Sequence, residues 1–201
     1  MLRIEDFIKG FSSVFTEEKG LKPWEITTKL PVVIGKMIPL LGGEYNVRDG
    51  IAIHKTATVE QAVILKGPLI IGPNCFIGAH AYLRGGVYLG DSSSVGPGCE
   101  VKTSIIFSHT EIAHLNFIGD SVVGSHVNFE AGSMAANYYN ERKDKKISVW
   151  HQSEILPTGV EKFGSLVGDH CKIGANAVLS PGTILIPGTA VKRLELVAQS
   201  E

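Results

Sequence analysis

Apolar side chains fall at every sixth position from Ile53 to Ala113: Ile53, Val59, Leu65, Ile71, Ile77, Leu83, Leu89, Val95, Val101, Phe107 and Ala113 share one phase. Neither the 3.6-residue helical period nor the two-residue strand period accounts for a period of six. Glycine follows the phase-marking residue at Gly72, Gly78, Gly90 and Gly96, so each sextet reads as a short strand and then a tight corner that calls for positive φ. After Ala113 the phase slips, continues through Ile118, Val123, Phe129 and Ala135, and returns at Val167, Ile173, Leu179, Leu185 and Val191. From Asn137 to Lys162 the period is lost. That stretch has charged flanks around a β-prone centre, which predicts a hairpin-like excursion from the coil.

A strand and corner repeated every six residues is the pattern of hexapeptide-repeat parallel β-helices. The expected fold is therefore an all-β solenoid, a single-stranded parallel β-helix over 51–201, with a protruding loop at about 137–162 and a helical segment over 1–50. In that segment the apolar residues of Ile4 to Phe15 and of Pro23 to Leu41 are spaced for short helices. Pro23 suits a helix start, while Pro31 and Pro39 interrupt the second stretch. The segment is expected to cover one open end of the coil, as caps of solenoids do.

Cys75, Cys99 and Cys171 each stand two residues before a phase marker, on the inward face of a strand. A buried, reduced, structural thiol fits that slot; a catalytic or metal-binding thiol is the alternative. The net charge of −1 gives no electrostatic basis for nucleic acid or an anionic membrane as the main partner. The opening MLRIEDFIKGF lacks the apolar run of a signal peptide, and no segment offers the roughly 20 apolar residues that span a bilayer. The chain reads as cytoplasmic.

If three sextets make one coil, residues eighteen apart stack on successive coils about 4.8 Å from each other. Lys66, Arg84 and Lys102 then form one column. Like charges in such a column repel, so either a bound anion such as phosphate neutralises them or they splay into water. His114 also takes a corner position, in line with Gly78 and Gly96 one and two coils earlier. An outward imidazole can remove a proton from an amine; an incidental surface histidine is the other reading.

The block AHLNFIGDSVVGSHVNFEAGSMAANYYN from Ala113 to Asn140, with KFGSLVGD from Lys162 to Asp169, resembles the left-handed β-helix acyltransferases. It is similar to the acetyltransferase half of bifunctional glucosamine-1-phosphate acetyltransferase/N-acetylglucosamine-1-phosphate uridyltransferases, in particular the archaeal-type sugar-phosphate nucleotidylyltransferases. The resemblance spans about residues 50 to 190, and the left hand of the coil comes from it alone. It implies His114 as catalytic base and Asn137 as a catalytic residue near the amino sugar. Arg84 and Lys102 are implied to contact substrate phosphate, Asn128 to lie in the sugar site, and Lys143 to be a loop lysine reaching substrate. Phe117 stands in the substrate site where the family has a tyrosine, a departure from the pattern. Ala131 and Ala175 are implied to line the channel for acetyl-CoA or another acyl-CoA, the co-substrate. The implied acceptor is an amino-sugar phosphate or nucleotide sugar, the implied assembly a homotrimer with active sites between subunits, and no metal is expected. The sequence ends soon after Val191, short of the tail that helps hold coenzyme A in the bifunctional enzymes, and no nucleotidyltransferase domain is expected in it.

Two rival readings have support in the sequence. His109 and His114 have the spacing of a zinc-ligand pair in γ-class carbonic anhydrases, and YLRGG at Tyr82 to Gly86 is similar to their Arg-Gly-Asp segment. Gly86 replaces the aspartate, however, and Lys102 stands about where a further zinc histidine belongs, a poor ligand for zinc. The other rival is a non-catalytic trimeric scaffold. A scaffold has no need for His114, Asn128, Asn137, Arg84 and Lys102 together.

Overall fold

The computed structural model describes residues 2–198. From Ile51 onward the chain winds as a parallel β-solenoid with three stacks of short strands. The first face is built from pairings such as Ile51 with Leu69 and Leu69 with Val87. The second runs Thr58, Phe76, Ser94, Glu111, Asn128, Lys172, Ala190. The third runs Ile64, Tyr82, Glu100, Phe117, Met134, Val178, Leu196. The first corner joins the first face to the second, the second corner joins second to third, and the third corner leads back to the first face.

The predicted inward phase holds from Ile71 to Val101, then shifts earlier than the periodicity suggested. Ile106 and Ile112 enter the core, and Phe107 turns outward. The step from Val101 to Ile106 is one residue short because Gly85 and Gly86 of one coil lie opposite Thr103 alone in the next. Ile118, Val123, Phe129, Ala135, Val167, Ile173, Leu179, Leu185 and Val191 all pack inward as expected. The three cysteines are buried and free. Cys75 Sγ donates to the Gly90 carbonyl at 3.0 Å, and burial pushes its thiol up to about 11.

The sextet glycines serve a different purpose from the one expected. Left-handed corner residues are Asn74, Ser92, His109, His126 and His170 at the first corner and Ala62, His80, Leu115 and Asn176 among those at the second. Gly72, Gly78 and Gly90 are needed for close approach instead. A Cβ at Gly72 would meet the Leu89 carbonyl oxygen at 2.7 Å, and one at Gly90 would meet the Ser108 nitrogen at 2.7 Å.

The helices of the N-terminal segment lie along the flank of the coil, while its last strand reaches the coil's end. Helix α1 (Phe11–Val14) and helix α2 (Pro23–Met37) pack with Ile4, Ile8 and Phe15 on the outward side of the first face. There Ile70, Ile105, Val122 and Leu166 supply an apolar column, with Phe107 beside it. Complete burial of a side chain such as Phe11 or Phe15 stabilises by about 1.5–3 kcal/mol. Helix α2 touches strands of three successive coils, Leu69–Ile71, Tyr82–Leu89 and Glu100–Ile106. It starts at Pro23, is capped by Glu25, whose carboxylate accepts from the Lys22 N–H at 2.7 Å, and runs unbroken through Pro31. Pro31 sits on Gly86, where a Cβ would meet its nitrogen at 2.9 Å. At the N-terminal end of the first face, β1 (Tyr45–Arg48) pairs antiparallel with β2 (Ile51–His54) and covers that edge.

The predicted excursion is a hairpin of Ser148–His151 with Glu154–Pro157. It leaves the coil at the third corner and then folds back on the same flank, burying Tyr139, Ile147 and Val149. The Tyr139 hydroxyl donates to the Pro181 carbonyl at 3.0 Å. Among the described residues, no helix is long and apolar enough to cross a membrane.

Candidate active site

The strand registers place Lys66 beside Arg84 and Arg84 beside Lys102, the column expected from the eighteen-residue spacing. Its electrostatics differ from those expected. Arg84 Nε and Nη2 donate to Glu100 Oε1 at 2.8 and 2.6 Å. Lys102 Nζ reaches Asp120 Oδ2 at 2.5 Å, with both side chains largely buried. Lys66 and Arg84 both lie over the Tyr82 ring, 5.2 and 5.4 Å from its centre. The repulsion that pointed to a bound anion is therefore relieved within the chain by two carboxylates.

Arg84, Lys102, Phe117 and Asn137, four of the predicted residues, line one open cleft of about 510 Å³ together with Tyr138, Glu161 and Lys162. Asn137 Nδ2 donates to Asp120 Oδ2. Gly119 makes room for this arrangement: a Cβ there would meet Asn137 Nδ2 and the Phe117 ring, each at 2.7 Å. Sequence reasoning missed Asp120, Glu100, Tyr138, Glu161 and Lys162. Asp120 was findable, since it stands eighteen residues after Lys102, the interval that had already linked Lys102 to Arg84.

His114, Ala131 and Ala175 come together at the second corner. Their carbonyls accept in turn from the N–H groups of Gly132, Asn176 and Leu194, at 3.0, 3.0 and 2.9 Å, which makes them successive members of one corner column. His114 is exposed. It stacks after Pro97, whose carbonyl accepts from Leu115 N–H at 3.1 Å, because the shortened coil moves it off the line of Gly78 and Gly96. Three residues later the same chain reaches Phe117, so His114 and the cleft occupy opposite ends of one third-face strand. The five chain steps from His114 to Gly119 reach at most about 18 Å.

Asn128 belongs elsewhere. It projects from the second face, donates to Glu111 Oε2 at 3.0 Å, and lines a groove of about 710 Å³ with Glu130, Lys172, Lys192 and Arg193. Arg193 grips Glu130 with two bonds of 2.8 Å, and Ala175 N–H donates to the same carboxylate at 2.8 Å. The Arg193 guanidinium and the Ala175 amide hold the Glu130 carboxyl below its usual range. Lys143 is exposed on the excursion and lines neither cleft; its neighbour Arg142 stacks on the Tyr139 ring, 3.5 Å from the centre.

His109 and His114 stand at different corners of the coil, on either side of the second-face strand Glu111–Ile112. His109 stacks on His126 and His126 on His170, with ring centres 4.9 Å apart in both pairs. Among the described residues, no group of three or more His, Cys, Asp or Glu is placed to hold a metal ion.

A family model described as the GMPPB C-terminal domain matches residues 65–149, and one described as the hexapeptide repeat of succinyl-transferase matches 166–185. The chain is 29% identical over 186 residues to a bifunctional sugar-1-phosphate nucleotidylyltransferase/acetyltransferase of Sulfurisphaera tokodaii, covering 86% of the chain and 45% of that protein. It is 31% identical over 167 residues to the bifunctional protein GlmU of Methanococcus vannielii, covering 80% and 39%. The chain thus spans less than half the length of these curated relatives. Among solved structures, the acetyltransferase domain of PglB from Neisseria gonorrhoeae aligns at 18% identity and a TM-score of 0.45, over 87% of this chain and 71% of that one.

Proposed function

We propose that the chain is a hexapeptide-repeat acyltransferase and that it moves an acetyl or other acyl group from acyl-CoA to the amine of an amino-sugar phosphate or nucleotide amino sugar, a reading supported by its repeats and by its relatives. The observation that carries this reading is the sorting of seven predicted residues into two groups at the ends of one strand. Arg84, Lys102, Phe117 and Asn137 line the cleft, and His114, Ala131 and Ala175 form the corner column. The cleft offers cations and an amide to the sugar phosphate. The column offers a base and two small residues past which a thioester can lie.

In the proposed reaction the His114 imidazole takes a proton from the acceptor amine as the nitrogen lone pair attacks the thioester carbonyl. A backbone N–H stabilises the oxyanion. The C–S bond then breaks, and the departing thiolate takes up the proton as free coenzyme A. No acyl-enzyme and no metal enter this scheme. A homotrimer, with a neighbouring subunit closing the gap between column and cleft, belongs to the same proposal, as does a cytoplasmic setting.

The test is a mass-spectrometric screen of purified protein against amino-sugar phosphates and UDP- or dTDP-amino sugars with several acyl-CoA donors. Transfer to an amine, lost in His114→Ala while the assembly state is unchanged, supports the reading. No transfer to any amine, with zinc-dependent hydration of CO2 instead, overturns it.

A further inference from the structure

We infer that Asp120 is a positioning residue that fixes which end of the Asn137 amide faces the acceptor cleft. The role of Asn137 toward substrate rests on the acyl-transfer reading above; what Asp120 does to Asn137 rests on geometry. Asp120 turns the third corner as a single left-handed residue with φ of 45° and is 7% exposed. Its backbone is held on both sides, the N–H donating to the Lys102 carbonyl at 2.8 Å and its carbonyl accepting from Gly164 N–H at 2.9 Å. Its side chain is thereby aimed at two donors, and Oδ2 accepts from both Lys102 Nζ and Asn137 Nδ2.

A carboxylate that faces an ammonium offers only acceptor sites. The Asn137 amide can meet it in one sense alone, nitrogen toward Asp120. Its carbonyl Oδ1 is then committed as an acceptor at the cleft that Asn137 lines. The result is a polarity pattern: an acceptor from Asn137 beside donors from Lys102 and Arg84. A ligand that matches it carries an N–H or O–H donor next to an anionic group, as an amino-sugar phosphate does. With Asp120 neutralised as an amide, Asn137 is free to turn and present its NH2 to the incoming amine, two donors facing each other.

Asp120→Asn preserves shape and a residue type that tolerates left-handed φ. The amine-substrate KM is expected to rise about tenfold while the acyl-CoA KM stays unchanged. In an Asn137→Ala background the same substitution is expected to have a clearly smaller effect, only the part that acts through Lys102, since coupled residues are non-additive. An additive effect, or an equal rise in both KM values, overturns the inference. Asp120→Glu, which keeps the acceptor one methylene farther out, is expected to fall between wild type and Asp120→Asn and covers the case in which the latter folds poorly. A second arm does not need turnover. The Asn137 side-chain NH2 signals in NMR, assigned by their loss in Asn137→Ala, are expected to exchange with solvent at least tenfold faster in Asp120→Asn. Unchanged exchange overturns the positioning role even in an active enzyme. Accelerated exchange in a protein without any acyl transfer sustains the role of Asp120 and overturns the acyl-transfer reading instead.

Discussion

Val87 and Ser104 face each other across neighbouring coils at a spacing of seventeen residues, whereas Arg84 and Lys102 on the same two strands are eighteen apart. The missing residue is at the third corner, where Gly85 and Gly86 oppose Thr103 alone. Thr103 and then Asp120 turn that corner singly, with φ of 48° and 45°. Corners built from Gly67 and Pro68 or from Gly85 and Gly86 present no side chain that could hydrogen-bond. The shorter corner puts a carboxylate directly after the Lys102 coil, and the contraction of the coil and the assembly of the Lys102–Asp120–Asn137 chain are one event.

The long corner has its own requirement. Gly86 has φ of 88°, and a Cβ on it would meet Pro31 N at 2.9 Å, Pro31 Cα at 3.1 Å and Leu30 C at 3.2 Å, all backbone of helix α2. Gly86→Ala combines left-handed strain with overpacking and is expected to destabilise by about 2–4 kcal/mol. Gly188→Ala supplies the control, since Gly188 has φ of 76° and open space around it; its cost is expected to be about 1–2 kcal/mol, from strain alone. Urea unfolding of the two variants measures the difference, and equal losses would mean that α2 does not rest on Gly86.

How far the chain can be read from sequence follows from which contacts are periodic. The solenoid, its inward residues as far as Val101 and the Arg84–Lys102 column were legible because stacking repeats a fixed interval. The slip at Thr103 was not, because Phe107 and Ala113 are apolar too and keep the six-residue count while Ile106 and Ile112 take the core. The flank seat of the helices was hidden in plain composition: Ile70, Ile105, Val122 and Leu166 are apolar at outward positions of one face, a second phase that a search for inward residues passes over. Asp120 was missed because the eighteen-residue count stopped at Lys102, and Glu100 because charge was counted along one column. Neutralisation of Arg84 came from a neighbouring position on the same edge.

Burial of Cys75 sets a pH dependence. Its thiol stands at about 11 in the folded chain against an ordinary 9.0, with desolvation the main cause. The folded state thus holds its proton more tightly than the unfolded state. The contribution is fully present below pH 9 and is lost as pH rises toward 11, on the order of 2–3 kcal/mol in all. Urea unfolding at pH 7, 9 and 11 is expected to show a steep loss for wild type over the last interval and a smaller one for Cys75→Ala. Parallel losses in the two proteins would remove the buried thiol as the cause.

Glu100 competes with any anion for Arg84. Both side chains of that pair remain about one-third exposed, 36% and 32%, unlike Lys102 and Asp120 at 14% and 10%, so Glu100 is the carboxylate that can be removed without stranding a buried charge. Glu100→Gln keeps a carbonyl oxygen near the guanidinium but withdraws the negative charge from the cleft. Affinity for inorganic phosphate, or for a sugar phosphate, is expected to rise about three- to tenfold at low ionic strength. The gain should shrink as salt is added, because the charges involved are partly solvated. Calorimetric titration of wild type and Glu100→Gln at low and high salt reads this directly. If phosphate binds both proteins equally, Arg84 is not the residue that meets the anion, and Lys102 or Lys162 becomes the one to replace next.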